Sequence, residues 1–262
     1  MIKSQKIAPM HRVRAATPVK AEAAFQKMLP IAAAVFAAFL GGGHALAADE
    51  KTWAAVTVNA KAEQQDGYRA SKTRVGKVVQ DPHDVPQAIT TITRSLMEEQ
   101  EANSLREALR NVSGLSFNAA EGGRSGDNMM LRGFYTFGDI YLDGIRDTAQ
   151  YNREVFNLEQ VDVLRGAAAM LFGRGQAGGV INLVSKTPML YGINTVGVGV
   201  GTDGFLETKG DFNQRIGDTT AIRLNFMVRD EDNPRTNPVT GTTPEIHRQG
   251  FAPSVSFGLG TN

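Results

Sequence analysis

A chain of 262 residues with 42% hydrophobic content is long enough for one or two domains with a sizeable core. A formal net charge of +1 gives no bulk attraction to nucleic acid, and the lack of cysteine excludes a disulfide scaffold, thiolate metal sites and thiol nucleophiles. After residue 47 no apolar run has the length of a membrane-spanning helix.

Lys3, Lys6, Arg12, Arg14, Lys20 and Lys27 form a long basic lead to the apolar run 28–40 (MLPIAAAVFAAFL). Ala45-Leu46-Ala47 then places small residues where a signal peptidase reads. The pattern predicts a secretory signal peptide over residues 1–47, cut after Ala47. The apolar run falls short of the roughly 20 residues of a spanning helix. The long lead leaves an internal start such as Met10 open. Residues 48–76 are polar, without a helical stripe, and read as a flexible extension. Within it, Ala55-Val56-Thr57-Val58-Asn59-Ala60 is a small β-prone island.

Residues 77–188 read as one compact α+β unit, a small mixed sheet with short helices. Residues 87–93 (QAITTIT) are rich in β-branched residues and predict a strand. Residues 95–111 predict a helix, with Leu96, Leu105, Ala108 and Leu109 on one face and Gly114 marking its end. Short strands follow at 115–117 and 128–132. Asp143-Gly144, between Ile140-Tyr141-Leu142 and Ile145-Arg146, is a strong hairpin signal. Residues 158–164 and 180–185 complete the sheet. Between them lie Gly173, Gly175, Gly178 and Gly179, whose density predicts tight turns and close backbone approach.

Residues 189–262 change character. Val196, Val198 and Val200 alternate with Thr195, Gly197 and Gly199. Leu206, Thr208, Gly210 and Phe212 alternate with Glu207, Lys209, Asp211 and Asn213. Ile222, Leu224, Phe226 and Val228 alternate with Arg223, Asn225, Met227 and Arg229. Val255, Phe257 and Leu259 alternate with Ser254, Ser256 and Gly258. This is the period of a transmembrane β-barrel wall, with lipid on one face and a wet lumen on the other. A soluble antiparallel sheet alternates too; the leader favours the barrel. The turn 215–220 is short, and the connection 230–250 is long, polar and rich in Pro and Thr. Outer-membrane barrels place short turns in the periplasm and long loops outside.

Five motifs in order resemble the plug domain of TonB-dependent outer-membrane receptors. They are Asp84-Val85-Pro86-Gln87, the stretch 105–114 (LREALRNVSG), Leu131-Arg132-Gly133-Phe134, Tyr141-Leu142-Asp143-Gly144, and 159–166 with 173–186. Gly166-Ala167 departs from the family's usual Gly-Pro, a change confined to the local turn. The resemblance is strongest to catecholate-type siderophore receptors. It implies a plug inside a barrel of about 22 strands. This chain supplies about four of them and reads as an incomplete N-terminal fragment.

The resemblance implies a bacterial outer-membrane receptor for ferric siderophores, not an enzyme. The cargo carries its own iron, so no cofactor and no protein metal ligands are expected. Ala55, Val56, Thr57 and Val58 would be the TonB box, pairing as an added strand with the periplasmic domain of TonB and its inner-membrane energy-coupling complex. Arg132 and Arg165 would lock plug to barrel by pairing with acidic wall residues. Arg124, Tyr135, Phe137, Gln150, Tyr151 and Arg153 lie on outward loops and are the candidate ligand contacts. Arginines suit an anionic ferric complex, and aromatic rings suit flat catechols. Alternatives are haem or cobalamin as cargo, a non-transporting barrel-based surface binding protein, or a secreted enzyme. The segment 173–178 fits G-x-G-x-x-G, but a strand follows it where a dinucleotide site needs a helix. Asp81, His83 and Asp84 lie in a proline-containing turn and read as solvated turn residues.

Overall fold

A computed structural model describes residues 67–75, 78–118, 126–136, 138–173, 177–202, 204–233 and 236–261. The signal peptide, the TonB-box candidate, Arg124, Phe137 and the centre of the 173–178 turn lie outside the described residues.

The N-terminal α+β domain is built on a five-stranded sheet of order β3-β9-β10-β7-β8. Its strands are β3 (Ile89–Thr93), β7 (Ile140–Leu142), β8 (Ile145–Arg146), β9 (Leu158–Arg165) and β10 (Gly179–Ser185). The sheet is mixed: β10 runs parallel to β7 and antiparallel to β9. A three-stranded sheet joins β4 (Leu115–Phe117), β5 (Met129–Leu131) and β6 (Phe134–Tyr135). One face of the large sheet packs Ile92, Val161, Val163, Ile181 and Leu183 against Met97, Leu105 and Leu109. Burying those side chains, each worth about 1.5–3 kcal/mol, is the main force holding the domain together. The β7–β8 turn takes the form its sequence predicts, with φ of 50° at Asp143 and 76° at Gly144. Gly178 and Gly179 meet the predicted need for close approach. A Cβ on Gly178 would strike the Leu131 carbonyl, and one on Gly179 the Leu164 carbonyl.

The helix predicted over 95–111 is two helices, α1 (Arg94–Glu99) and α2 (Leu105–Ala108). Thr93 caps the first, and Ser104 with Glu107 forms a full capping box that starts the second. The chain turns between them at Glu101, with φ of 49°. A third short helix, α3 (Ala169–Phe172), occupies part of the small-residue stretch after β9.

The segment read as a flexible extension reaches only part-way to residue 76. β1 (Thr73–Val75) pairs with β2 (Val78–Gln80), and Thr73 is fully buried. Side chains of the large sheet hold this strap. Asp162 accepts from the Arg74 amide at 2.9 Å, and Asn182 Nδ2 donates to the Arg74 carbonyl at 2.8 Å. Thr93 Oγ1 donates to the Gly67 carbonyl at 2.7 Å.

After the domain come β11 (Ile193–Val200), β12 (Leu206–Arg215), β13 (Ala221–Asp232) and β14 (Glu245–Ser256), paired in sequence order in one sheet. By contacts, Val196–Lys209 and Met227–Gln249 pack as one unit. The described residues up to Thr195, with Gly210–Phe226 and those from Gly250 on, pack as the other. In the first unit Val196, Val198 and Val200 are 57%, 67% and 79% exposed, while Glu207 and Arg229 are buried and approach to 3.5 Å. In the second, Asp211, Asn213, Arg223 and Asn225 are buried, and Phe251, Val255 and Phe257 are exposed. The ring of Phe226 lies over Gly210 and stacks on Phe212 at 6.0 Å. Charged and amide side chains buried on β12 and β13, with apolar side chains bare on β11 and β14, is the reverse of a water-soluble sheet. It is the pattern of a wall whose outer solvent is hydrocarbon. The β13–β14 connection, 233–244, is shorter than predicted. The ladder continues through polar residues such as Asp230 and His247, which bond each other at 2.6 Å.

Candidate functional site

Three constellations of charge and aromatic side chains stand out. The first gathers two loops of the α+β domain around Arg153. This side chain is 3% exposed. Its Nη1 meets Asp127 at 3.2 Å and its Nη2 meets Asp147 at 3.0 Å. Nη2 also donates to the Ala149 carbonyl at 2.9 Å. The guanidinium lies over the Tyr151 ring at 4.2 Å, and Tyr151 donates its hydroxyl proton to Asp147 at 2.7 Å. Gly126, with φ of 93°, lets the two loops touch; a Cβ there would stand 2.6 Å from the Tyr151 nitrogen. Burial raises the Asp127 carboxyl above its ordinary value, against the pull of Arg153. Burial pushes Asp147 the same way, but the hydrogen bond from Tyr151 and the charge of Arg153 outweigh it and hold Asp147 low. The Tyr151 hydroxyl is raised by burial and by its bond to Asp147.

The second constellation is a pair of arginines. Arg132 sits at a positive φ of 53° at the end of β5. Its Nη1 stands 3.7 Å from where a Cβ on Gly166 would be, and Gly166 is the residue after Arg165. Arg165 donates to Thr90 Oγ1 at 2.7 Å, and its buried Nε has no hydrogen-bond partner among the described residues. Neither arginine makes an ion pair with a described residue.

The third lies where the domain meets β12 and β13. Arg223 is 1% exposed. It forks onto Asp211, with Nε to Oδ1 at 2.8 Å and Nη2 to Oδ2 at 2.7 Å. Its Nη1 donates to the Thr187 carbonyl at 2.8 Å. Lys186 Nζ meets the same Asp211 at 3.2 Å and donates to the Phe156 carbonyl at 2.9 Å. Arg94 stands 3.7 Å from Asp211 and 3.9 Å from Glu159. Burial draws the Lys186 ammonium below its ordinary value, in spite of Asp211.

Residues 81–180 match the TonB-dependent Receptor Plug Domain family. The chain carries a TonB-dependent receptor plug domain. The catecholate siderophore receptor Fiu of Escherichia coli K12 is 37% identical over 220 residues, covering 83% of this chain and 28% of the receptor. A probable TonB-dependent siderophore receptor, PiuA of Acinetobacter baumannii, is 34% identical over 206 residues, covering 78% and 27%. The crystal structure of PiuA aligns with a TM-score of 0.69 at 32% identity, over 76% of this chain and 28% of that one. The closed form of Fiu aligns at 0.67 and 37% identity, over 74% and 27%. This chain therefore spans little more than a quarter of the length of these relatives. Its strands after the plug are those of an outer-membrane barrel wall.

Within the plug, the predicted ligand residues separate by environment. Gln150 is exposed and Tyr151 is 46% exposed, on the clamped loop. Tyr135 is equally exposed at 46%, on β6 of the smaller sheet. Arg153, by contrast, spends its charge on Asp127, Asp147 and loop carbonyls, so here it braces the loop. Asp81 caps a 3-10 turn through the His83 amide at 2.8 Å. No cluster of three or more potential metal-ligating side chains occurs among the described residues.

Sequence reasoning missed the Arg223–Asp211–Lys186 constellation. The signal was present: opposite charges on the polar faces of two strands predicted to be neighbours, and a lysine ending the last plug strand. It also missed Asp127 and Asp147, which only the folded loops bring to Arg153.

Proposed function

We propose that this chain is the plug and first wall strands of an energy-coupled receptor that imports ferric siderophores of catecholate type across the outer membrane. The observation that carries the reading is the pairing of a plug with a sheet that buries charged side chains on β12 and β13 and leaves apolar side chains bare on β11 and β14. The names of Fiu and PiuA support the cargo class. In this reading Tyr135, Gln150 and Tyr151, with Arg124 and Phe137, offer rings and polar groups to the ferric complex, and Arg153 fixes Tyr151 from below. Arg132 and Arg165 await carboxylates on the barrel wall, as two arginines without acidic partners among the described residues require. Ala55, Val56, Thr57 and Val58 add as a strand to the periplasmic domain of TonB, which supplies the work. The iron stays with the siderophore; the protein provides binding and a path, not catalysis.

The TonB domain immobilised on resin should retain this chain in detergent, and a Val56→Pro/Val58→Pro chain should pass through. Proline removes backbone donors that strand addition needs. Equal retention of both chains would contradict the placement of the box.

A further inference from the structure

We infer that the plug carries a dedicated docking site for the β12–β13 hairpin, a second anchor separate from the Arg132–Arg165 pair. Its elements come from both sides. Arg94 and Glu159 belong to α1 and β9, Lys186 directly follows β10, and Asp211 and Arg223 belong to β12 and β13. Lys186, Asp211 and Arg223 are all at least nine-tenths buried, so none of them holds its charge by hydration. Each is stable there only with the others in place.

Two neutral contacts frame the charges. Asn213, fully buried, accepts from the Met189 amide at 2.9 Å and donates to the Met189 carbonyl at 2.8 Å. Its Nδ2 also donates to the Tyr191 carbonyl, so β12 grips the linker that leaves the plug. Phe156 of the plug lies against Gly250 of β14. A Cβ on Gly250 would come within 2.5 Å of the Phe156 ring. Ionic, hydrogen-bonded and steric complementarity thus meet on one face. All of these residues belong to one of the two packed units.

The consequence is an asymmetric plug. Its C-terminal end is fixed to the wall by buried charge. Its N-terminal strap, 67–75, is tied to the sheet by hydrogen bonds with Asp162, Asn182 and Thr93 and carries no buried ion pair among the described residues. Rearrangement then starts at the strap and stops at the dock. This inference needs no particular cargo and stands apart from the ligand assignment.

The lack of native cysteine makes the test clean. One reporter cysteine is placed at Asn225, 2% exposed on the inward face of β13, and another, in a separate chain, at Ala108 in the plug core, 3% exposed. Maleimide labelling rates are read on the whole chain in detergent micelles. Asp211→Asn should speed labelling at 225 by at least about tenfold and leave 108 protected. Gly250→Val, which touches no charge, should do the same by displacing Phe156. Protection at 225 that survives Asp211→Asn would overturn the dock. So would 108 opening in step with 225, because the charges would then be holding the plug itself together. A cysteine at 225 that reacts freely in the otherwise unchanged chain would overturn it as well.

Discussion

Strand β9 is covered on both faces, whereas β13 is covered most deeply on the face that carries its arginines. In β9, Val161 and Val163 are fully buried against Leu105, Leu109 and Ile181. In β13, Arg223, Asn225 and Arg229 are buried, while Leu224 and Phe226 keep part of their surface exposed. A period of two states that a strand has two faces. It does not state which face is the inside, because that depends on the solvent each face meets. The plug folds by withdrawing apolar surface from water. The wall withdraws charge from hydrocarbon and satisfies it internally.

The largest effect expected from breaking this contrast is in the plug core. Leu105→Ala should lower the stability of the chain in micelles by about 2–5 kcal/mol in urea titrations. Val198→Ala, on the bare face of β11, should fall within about 0.5 kcal/mol. Equal costs at the two sites would erase the distinction. On the wall, Leu224→Lys should reduce insertion into lipid vesicles by an amount equivalent to about 2–4 kcal/mol at mid-membrane depth. The same substitution on a water-facing strand would be nearly silent, so an insertion yield equal to the unsubstituted chain would contradict the lipid-facing assignment.

A smaller effect sharpens the plug side. Asp147 is held below its ordinary value of 3.8 in the folded loop. Its contribution is present above that value and is lost as pH falls through the lower, folded one. Asp127 is raised, so its protonation favours the folded form and acts in the opposite direction over the range in which it titrates. Asp147→Asn should therefore flatten the acid loss of stability below 3.8, and Asp127→Asn should not. Indistinguishable acid slopes in urea titrations would contradict the Arg153 clamp.

Much of this contrast was legible in the residues. The four alternating strands, the Asp143-Gly144 turn and the glycines at 178–179 express backbone geometry that local sequence dictates. The split between α1 and α2 was written in Ser104 and Glu107, but a continuous apolar stripe from Leu96 to Leu109 masks it. Strand β1 left little trace, because a three-residue strap held by distant Asp162 and Asn182 has no period to read. Burial of Arg153 was hidden for a related reason: Asp127 lies 26 residues away and reaches it only through the packed loop at Gly126.

The most direct test of the central claim is lipid-phase quenching along β13. Single cysteines at positions 222 to 229, labelled with a fluorophore in vesicle-inserted chain, should be quenched by a bilayer-soluble quencher at 222, 224, 226 and 228. Labels at 223, 225, 227 and 229 should be spared. Quenching without that alternation, or with its sense reversed, would contradict a wall that faces lipid with its apolar side and keeps its charges within.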